Sequence, residues 1–402
     1  MKFFIAVAVS SALGALSAPT LHRRDTEAYD VIMTADADIT SILAQINLSP
    51  SSDDVTQTFN NSAFNGFAGS ITAAEASTLE DVSDVLAVSK QATISISATR
   101  SNAPWGLERI SQTDAVSGSA SSLTYTYTYS DTSLGEGVDI YIVDTGINTE
   151  HEQFGDRASM GYSYYTSNTD DNGHGTHCSG TAAGSTYGIA SNANLIGVKI
   201  LDSSGSGTST GCLAGLEYVV EEHNSRSSDS DFVGSVASMS WGFDGRSTSV
   251  ETVVEALVSA GVHASVAAGN DYGNACSYTP ASLGGDSGVV VSVGATNIND
   301  EVAYFSNTGS CVDIYAPGQY VISSYIGSDS ATAILSGTSM ATPHVTGLIA
   351  YFLAADSSLS TPALMKSYLT SNAISDALSS GSANIVSGSD LILAYNGGAD
   401  GF

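Results

Sequence analysis

From residue 138 onward the sequence alternates short apolar runs with stretches of helical period, and that alternation leaves few folds open. Apolar runs occupy 138–143, 194–201, 232–239, 262–268 and 289–294, and helical stretches occupy 211–222 and 249–260. In the second helical stretch Val250, Val253, Val254, Leu257 and Val258 share one face, and Gly261 follows as a stop. Strands alternating with helices predict a parallel sheet covered by helices, an α/β domain. Thr361-Pro362 predicts the start of a last helix. The first hundred residues have another rhythm. Residues 29–33 read as a strand, 39–46 as a helix, and 59–71 as one or two strands around Gly66. Thr72 and Glu75 make a capping box for a helix to residue 87, and 91–97 alternates as a strand. That order is β-α-β-β-α-β, a small α+β domain. Tyr125, Tyr127 and Tyr129, spaced by Thr, read as a half-exposed strand.

Three segments carry residues with chemistry. The run 138–146 is a buried strand that ends in Asp144 and a Gly turn. Asn172-Gly173-His174-Gly175-Thr176-His177-Cys178 places a histidine among small residues. Near the C-terminal end, Gly337-Thr338-Ser339-Met340-Ala341-Thr342-Pro343-His344 leads into a helical run through Val345, Leu348, Ile349, Phe352 and Leu353. Ser339 therefore falls at a helix N-terminus, with Pro343 read as a first-turn proline. Taken singly these are a turn acid, a loop histidine and an N-cap. Taken together, Asp144, His174 and Ser339 are an acid, a base and a nucleophile. An α/β-hydrolase requires Gly-x-Ser-x-Gly and the order Ser, Asp, His, and neither is present. His174 and His177 lack the His-Glu-x-x-His spacing of a zinc site. Asn270, in Ala267-Ala268-Gly269-Asn270 after a strand, offers a side-chain N–H to a developing oxyanion.

Four motifs in this order resemble those of the subtilases, the subtilisin-type serine proteases, and within them the proteinase K and cerevisin branch. The likeness runs from about Asn102, where Asn102-Ala103-Pro104-Trp105-Gly106-Leu107 is similar to the start of mature enzymes. It implies a subtilisin-like three-layer domain with a mostly parallel sheet, preceded by a small α+β propeptide domain. The expected division is 1–18 signal peptide, 19–98 inhibitory and chaperone propeptide, and 99–402 peptidase. The implied activity is a broad serine endopeptidase made as a self-processing zymogen, cut near residues 98–100; the alternative is an inactive peptide-binding homologue. Asp144, His174, Ser339 and Asn270 would be catalytic, with the helix dipole at Ser339 assisting. Gly205, Ser206 and Gly207 would flank the substrate on one side, and Ser240, Trp241 and Gly242 on the other. Ala267, Ala268 and Gly269 would line the primary pocket, whose small neutral walls favour an apolar or aromatic residue. Trp241 stands where these enzymes often carry Leu. The resemblance also implies a Cys276–Cys311 disulfide and a buried free thiol at Cys178; Cys212 reads as an unpaired core residue. No cofactor is needed for the chemistry. A structural calcium ion would be held by Asp313 and the Val290 carbonyl, although Gly288 replaces a proline and 283–287 reads as an insertion.

Charge and leader narrow the setting. The 402-residue chain has 11 Lys+Arg against 41 Asp+Glu, a net charge of −30. Such a chain repels nucleic-acid phosphate and anionic membranes, so neither is expected as a partner. Protein substrates and its own propeptide are, and the expected state is monomeric. Lys2, the apolar residues 3–9, and Ala15, Ser17 and Ala18 have the pattern of a signal peptide. No later run is long and apolar enough to span a bilayer, and the tail carries no lipid-anchor or retention signal. Secretion, or delivery to a vacuolar lumen, is expected, where disulfides form. Arg23-Arg24 is a candidate dibasic processing site, and Asn47 and Asn60 are candidate glycosylation sites.

Overall fold

The computed structural model describes residues 26–91 and 98–398. The expected signal peptide, Arg23-Arg24 and residues 92–97 of the expected strand lie outside them. The chain divides into two compact units, Met1–Thr93 and Ile94–Phe402.

In the small unit β1 (Glu27–Met33), α1 (Ile39–Ala44), β2 (Val55–Asn60), β3 (Asn65–Ile71), α2 (Ala73–Glu80) and β4 (Val85–Lys90) follow the expected β-α-β-β-α-β order. The antiparallel sheet runs β2-β3-β1-β4. Alternate β1 residues Tyr29, Val31 and Met33 meet Leu43, Phe67 and Leu79 in its core. The Thr72–Glu75 capping box starts α2 as expected. The helix then stops at Glu80 rather than residue 87, and Val85–Lys90, which begins inside the expected helix, is a strand. Asp81-Val82-Ser83-Asp84 ends the helix because short polar side chains compete for backbone bonds, and β4 pairs with β1 through one bulge beside Met33.

The large unit opens with an antiparallel pair, β5 (Ala98–Ala103) on β6 (Tyr125–Tyr129), with α3 (Trp105–Arg109) between them. Its main elements are β7 (Val138–Asp144), β8 (Ala158–Ser163), α4 (His174–Ala183), β9 (Asn194–Lys199), α5 (Ser209–Arg226), β10 (Gly234–Met239), α6 (Thr248–Ser259), β11 (His263–Ala267), β12 (Val291–Thr296) and β13 (Ile314–Pro317). The hairpin β14 (Val321–Ser324) and β15 (Thr332–Leu335) leads into α7 (Thr338–Ala355), and α8 (Pro362–Ser371) follows. Seven strands form one sheet in the order β13-β12-β11-β10-β7-β9-β8, and every pairing is parallel. Strand alternation feeds two cores. Ile140 and Ile142 of β7 pack with α4 and α7, whereas Tyr141 and Val143 pack with α5 and α6. The strand order reverses beside β7, so the carboxyl ends of β7 and β10 open a crevice where such sheets hold their sites.

Candidate active site

Asp144 is the last residue of β7, His174 the first of α4 and Ser339 the second of α7. Each element presents its residue at the same edge. Asp144 is 1% exposed and takes the Nδ1 of His174 at 2.8 and 2.9 Å from its two oxygens. The Thr145 backbone N–H holds the same carboxylate at 2.7 Å. Burial alone would lower the His174 pKa. The Asp144 charge and its hydrogen bonds outweigh this and hold the imidazole well above its ordinary value. With Nδ1–H on Asp144, Nε2 is left as the base.

Ser339 is held by a proline effect that local reasoning misjudged. Pro343 is the sixth residue of α7, not a first-turn residue, so it removes a real bond to the Ser339 carbonyl. That carbonyl accepts instead from the Ser240 hydroxyl at 3.0 Å and the Cys178 thiol at 3.4 Å. In return the Ser339 hydroxyl donates to the Ser240 carbonyl at 3.0 Å. The Cys178 Sγ also lies 4.0 Å from the His174 Nδ1, so one buried thiol touches both halves of the site. Burial pushes that thiol up in pKa, and it stays a neutral donor.

Asn270 faces the same point. Its Oδ1 accepts from the Thr338 N–H at 2.8 Å and the Thr338 hydroxyl at 3.1 Å, which leaves the amide nitrogen free to donate. A position one Cβ out from Gly337 lies 3.6 Å from the Ser339 backbone N and 3.7 Å from the Asn270 Nδ2. The Asn270 Oδ1 lies 3.7 Å from the same position, so the Asn270 side-chain amide and the Ser339 backbone N are neighbours at the edge of the cleft. Gly269, at φ +101°, makes the approach possible: a Cβ there would sit 2.3 Å from the Asn307 Nδ2. Asn307 is fully buried and accepts the Asp271 and Gly273 N–H groups at 3.0 and 2.8 Å, which pins the loop.

Residues 135–392 match the sequence model of the Peptidase S8 subtilase family. The chain belongs to the subtilase family. Residues 22–97 match the peptidase inhibitor I9 family, the propeptide type expected for the small unit. The subtilisin-like serine protease pepC of Aspergillus niger is 49% identical over 265 residues, 64% of this chain and 48% of that protein. The subtilisin-like serine protease Pen ch 18 of Penicillium rubens is 43% identical over 331 residues, 79% of this chain and 64% of that one. This subtilase therefore spans about half to two thirds of those curated relatives. A solved cold-adapted subtilisin-like serine proteinase superposes with TM-score 0.63 at 37% identity, covering 74% of this chain and 99% of that one.

The other expected residues of this subtilase lie in several separate places. Trp241, Gly242, Ala267, Ala268, Gly269, Asn270 and Ser339 line one cleft of about 290 Å³. Trp241 is fixed there by its indole N–H on the Val143 carbonyl at 2.8 Å. Gly205, Ser206 and Gly207 form an exposed loop outside that lining, organised by Asp202, whose Oδ1 accepts the Ser204 and Ser206 N–H groups at 2.8 and 3.1 Å. Cys276 and Cys311 are bonded, with Cα atoms 5.2 Å apart across 35 residues, a loop closure worth about 3–4 kcal/mol. Cys178 and Cys212 are free and buried, and burial pushes the Cys212 thiol up to about 12. His177, fully buried, is held down to about 3 by burial first, and it bonds the Val321 carbonyl at 3.1 Å. The expected calcium ligands do converge, but on a side chain: the Lys366 Nζ lies 2.9 Å from Asp313 and 2.8 Å from the Val290 carbonyl.

Several residues escaped sequence reasoning. Asp170 accepts from the Gly173 and Thr176 N–H groups at 2.8 and 2.9 Å and from the Thr145 hydroxyl at 2.8 Å, so it fixes the start of α4 that carries His174. An acid just before a helix start is a readable signal for it. Asp244 and Asp271, exposed acids, line the cleft together with Tyr278. The Tyr278 hydroxyl is pushed up by burial first and then by those two charges. No periodicity marks these loop acids. Among the described residues no helix is long and apolar enough to cross a membrane.

Proposed function

We propose that this subtilase is a serine endopeptidase made as a zymogen, secreted or delivered to a vacuolar lumen, and active as a monomer. The observation that carries the reading is the Asp144–His174 pair, bridged by the Cys178 thiol to the Ser339 carbonyl, with the Asn270 amide beside the Ser339 backbone N. An extended peptide lies between 205–207 and 240–242 through backbone bonds, and its side chain before the scissile bond enters the cleft. Ser339 rotates off the Ser240 carbonyl, His174 takes its proton, and the oxygen attacks the peptide carbonyl. The oxyanion settles on the Ser339 and Asn270 donors, and His174 returns the proton to the leaving amine. Asp144 keeps the imidazole oriented and stabilises it when charged.

The small neutral walls of Ala267, Ala268 and Gly269 favour apolar and aromatic residues before the scissile bond. Asp244 and Asp271 at the same cleft add a second preference, for Lys or Arg. The boundary between propeptide and enzyme is at or just before Ala98. From Ala98 the chain is already in the β5–β6 ladder. Arg100 is committed there: its guanidinium donates to the Ser185 carbonyl at 2.9 Å and to the Gly188 carbonyl, and lies 5.1 Å over the Tyr127 ring. A trypsin-like helper finds little purchase on it.

The test is expression of the full chain and of Ser339→Ala without other proteases. The parent should react with a fluorophosphonate at Ser339 and yield a product starting near residue 98. The variant should be unlabelled and uncut beyond its signal peptide. A variant that still reaches mature size removes self-processing, and a folded but unlabelled parent leaves the inactive homologue.

A further inference from the structure

The cation position that a subtilase implies at Asp313 and Val290 is built around a lysine in this chain. Residues 283–290 fold back on themselves, with Gly285 at φ +81° and its N–H on the Asp313 Oδ1 at 3.0 Å. The turn aims three carbonyls at one centre. The Lys366 Nζ sits in that centre, 2.7 Å from the Gly285 carbonyl, 2.8 Å from Val290, 3.0 Å from Gly288 and 2.9 Å from the Asp313 Oδ1. An ammonium has three donors, so four acceptors saturate it.

The surroundings fit an ammonium and not a metal. These separations are those of N–H···O bonds, whereas calcium takes six to eight oxygens at about 2.3–2.6 Å. Four oxygens are gathered here. The second oxygen of Asp313 accepts the Ser292 N–H at 2.8 Å, so both carboxylate oxygens are engaged while Lys366 is in place. Lys366 and Asp313 are 9% and 7% exposed, and an unpaired charge at that depth would be strongly disfavoured. Helix α8 delivers the lysine: Thr361 caps it, and Met365 and Leu369 beside Lys366 are buried. A calcium ion could enter only by expelling a buried, tethered cation of the same sign.

We propose that Lys366 is a built-in replacement for the structural calcium ion, so that this region of the fold is held together without metal. The inference rests on this cradle alone and is independent of the catalytic reading. It is tested in full-length Ser339→Ala chain, which cannot digest itself, with Ca²⁺ as the probe. Lys366 should resist acetylation equally in chelator and in millimolar Ca²⁺, read by peptide mass spectrometry, and the two buffers should give the same Tm. Adding Lys366→Ala should lower Tm in chelator, Ca²⁺ should raise it again, and Asp313→Asn in that background should abolish the response. The proposal is overturned if Ca²⁺ makes Lys366 reactive in the parent. It is overturned equally if a chelator-sensitive Tm in the parent loses its sensitivity with Asp313→Asn, or if folded Lys366→Ala gains no response to Ca²⁺. Should Lys366→Ala not fold in either buffer, the acetylation of the parent decides alone.

Discussion

Two places in the large unit gather polar atoms, and the chain completes them in opposite ways. At the cleft, the Ser339 backbone N and the Asn270 side-chain amide lie side by side, and the proposed mechanism leaves their N–H groups for the substrate. At residues 283–290, carbonyls and the Asp313 carboxylate converge and the chain fills the point with Lys366. Filling satisfies every group and serves the fold. Leaving donors open sacrifices that satisfaction, and is useful only where another molecule brings the charge they await. Changes at the first place should therefore show in rates, and changes at the second in stability.

The largest effect that would sharpen this contrast is at Asp144. Asp144→Asn should cut kcat by about 10⁴-fold, the order expected when the acid of such a triad is lost. The unfolding midpoint should move far less. The pH profile adds a sign. His174 must be neutral to act, and its folded pKa lies well above 6.5, so activity falls as pH drops through that raised value. By the same linkage its contribution to stability is present at low pH and fades as pH rises through the folded pKa. Removing the Asp144 anion should move the acidic limb of kcat/KM to lower pH; a limb that stays in place would contradict the assigned cause.

Next in size is Asn270→Ala. The donor acts on charge that exists only in the transition state, so kcat should fall by about 10²–10³, some 2.7–4 kcal/mol, with KM nearly unchanged. A variant that instead loses stability and keeps its kcat would place Asn270 with the filled kind of site, as a brace for Thr338.

The smallest effect concerns Asp244 and Asp271, which are exposed and screened. Each is worth about 0.2–1 kcal/mol to a bound cation, so the double change to Asn should lower kcat/KM for Lys or Arg before the scissile bond by roughly 2- to 30-fold relative to Phe. Added salt should shrink the difference. An unchanged ratio would show that the cleft reads shape and not charge.

Sequence alone determined what depends on local pattern. The strand–helix alternation announced the parallel sheet, the Thr72–Glu75 box announced α2, and four motifs placed Asp144, His174, Asn270 and Ser339 at strand and helix ends where a site forms. Where the pattern was weak it misled: α2 ends at Glu80 because strand pairing of β4 with β1 outweighs a helical reading, a choice made by residues some fifty positions away. Tertiary structure decided the remainder, because those contacts join segments with no pattern in common. The Ser339 carbonyl freed by Pro343 finds Ser240, 99 residues distant, and Cys178, 161 residues distant. Lys366 finds the Gly285 carbonyl across 81 residues. A lysine on a helix normally reads as a solvated side chain, and only folding reveals that its ammonium is enclosed by four oxygens. Hydrogen bonds at that range leave no periodicity behind, so the residues that hold this site and this cradle in place became visible only when the chain was closed on itself.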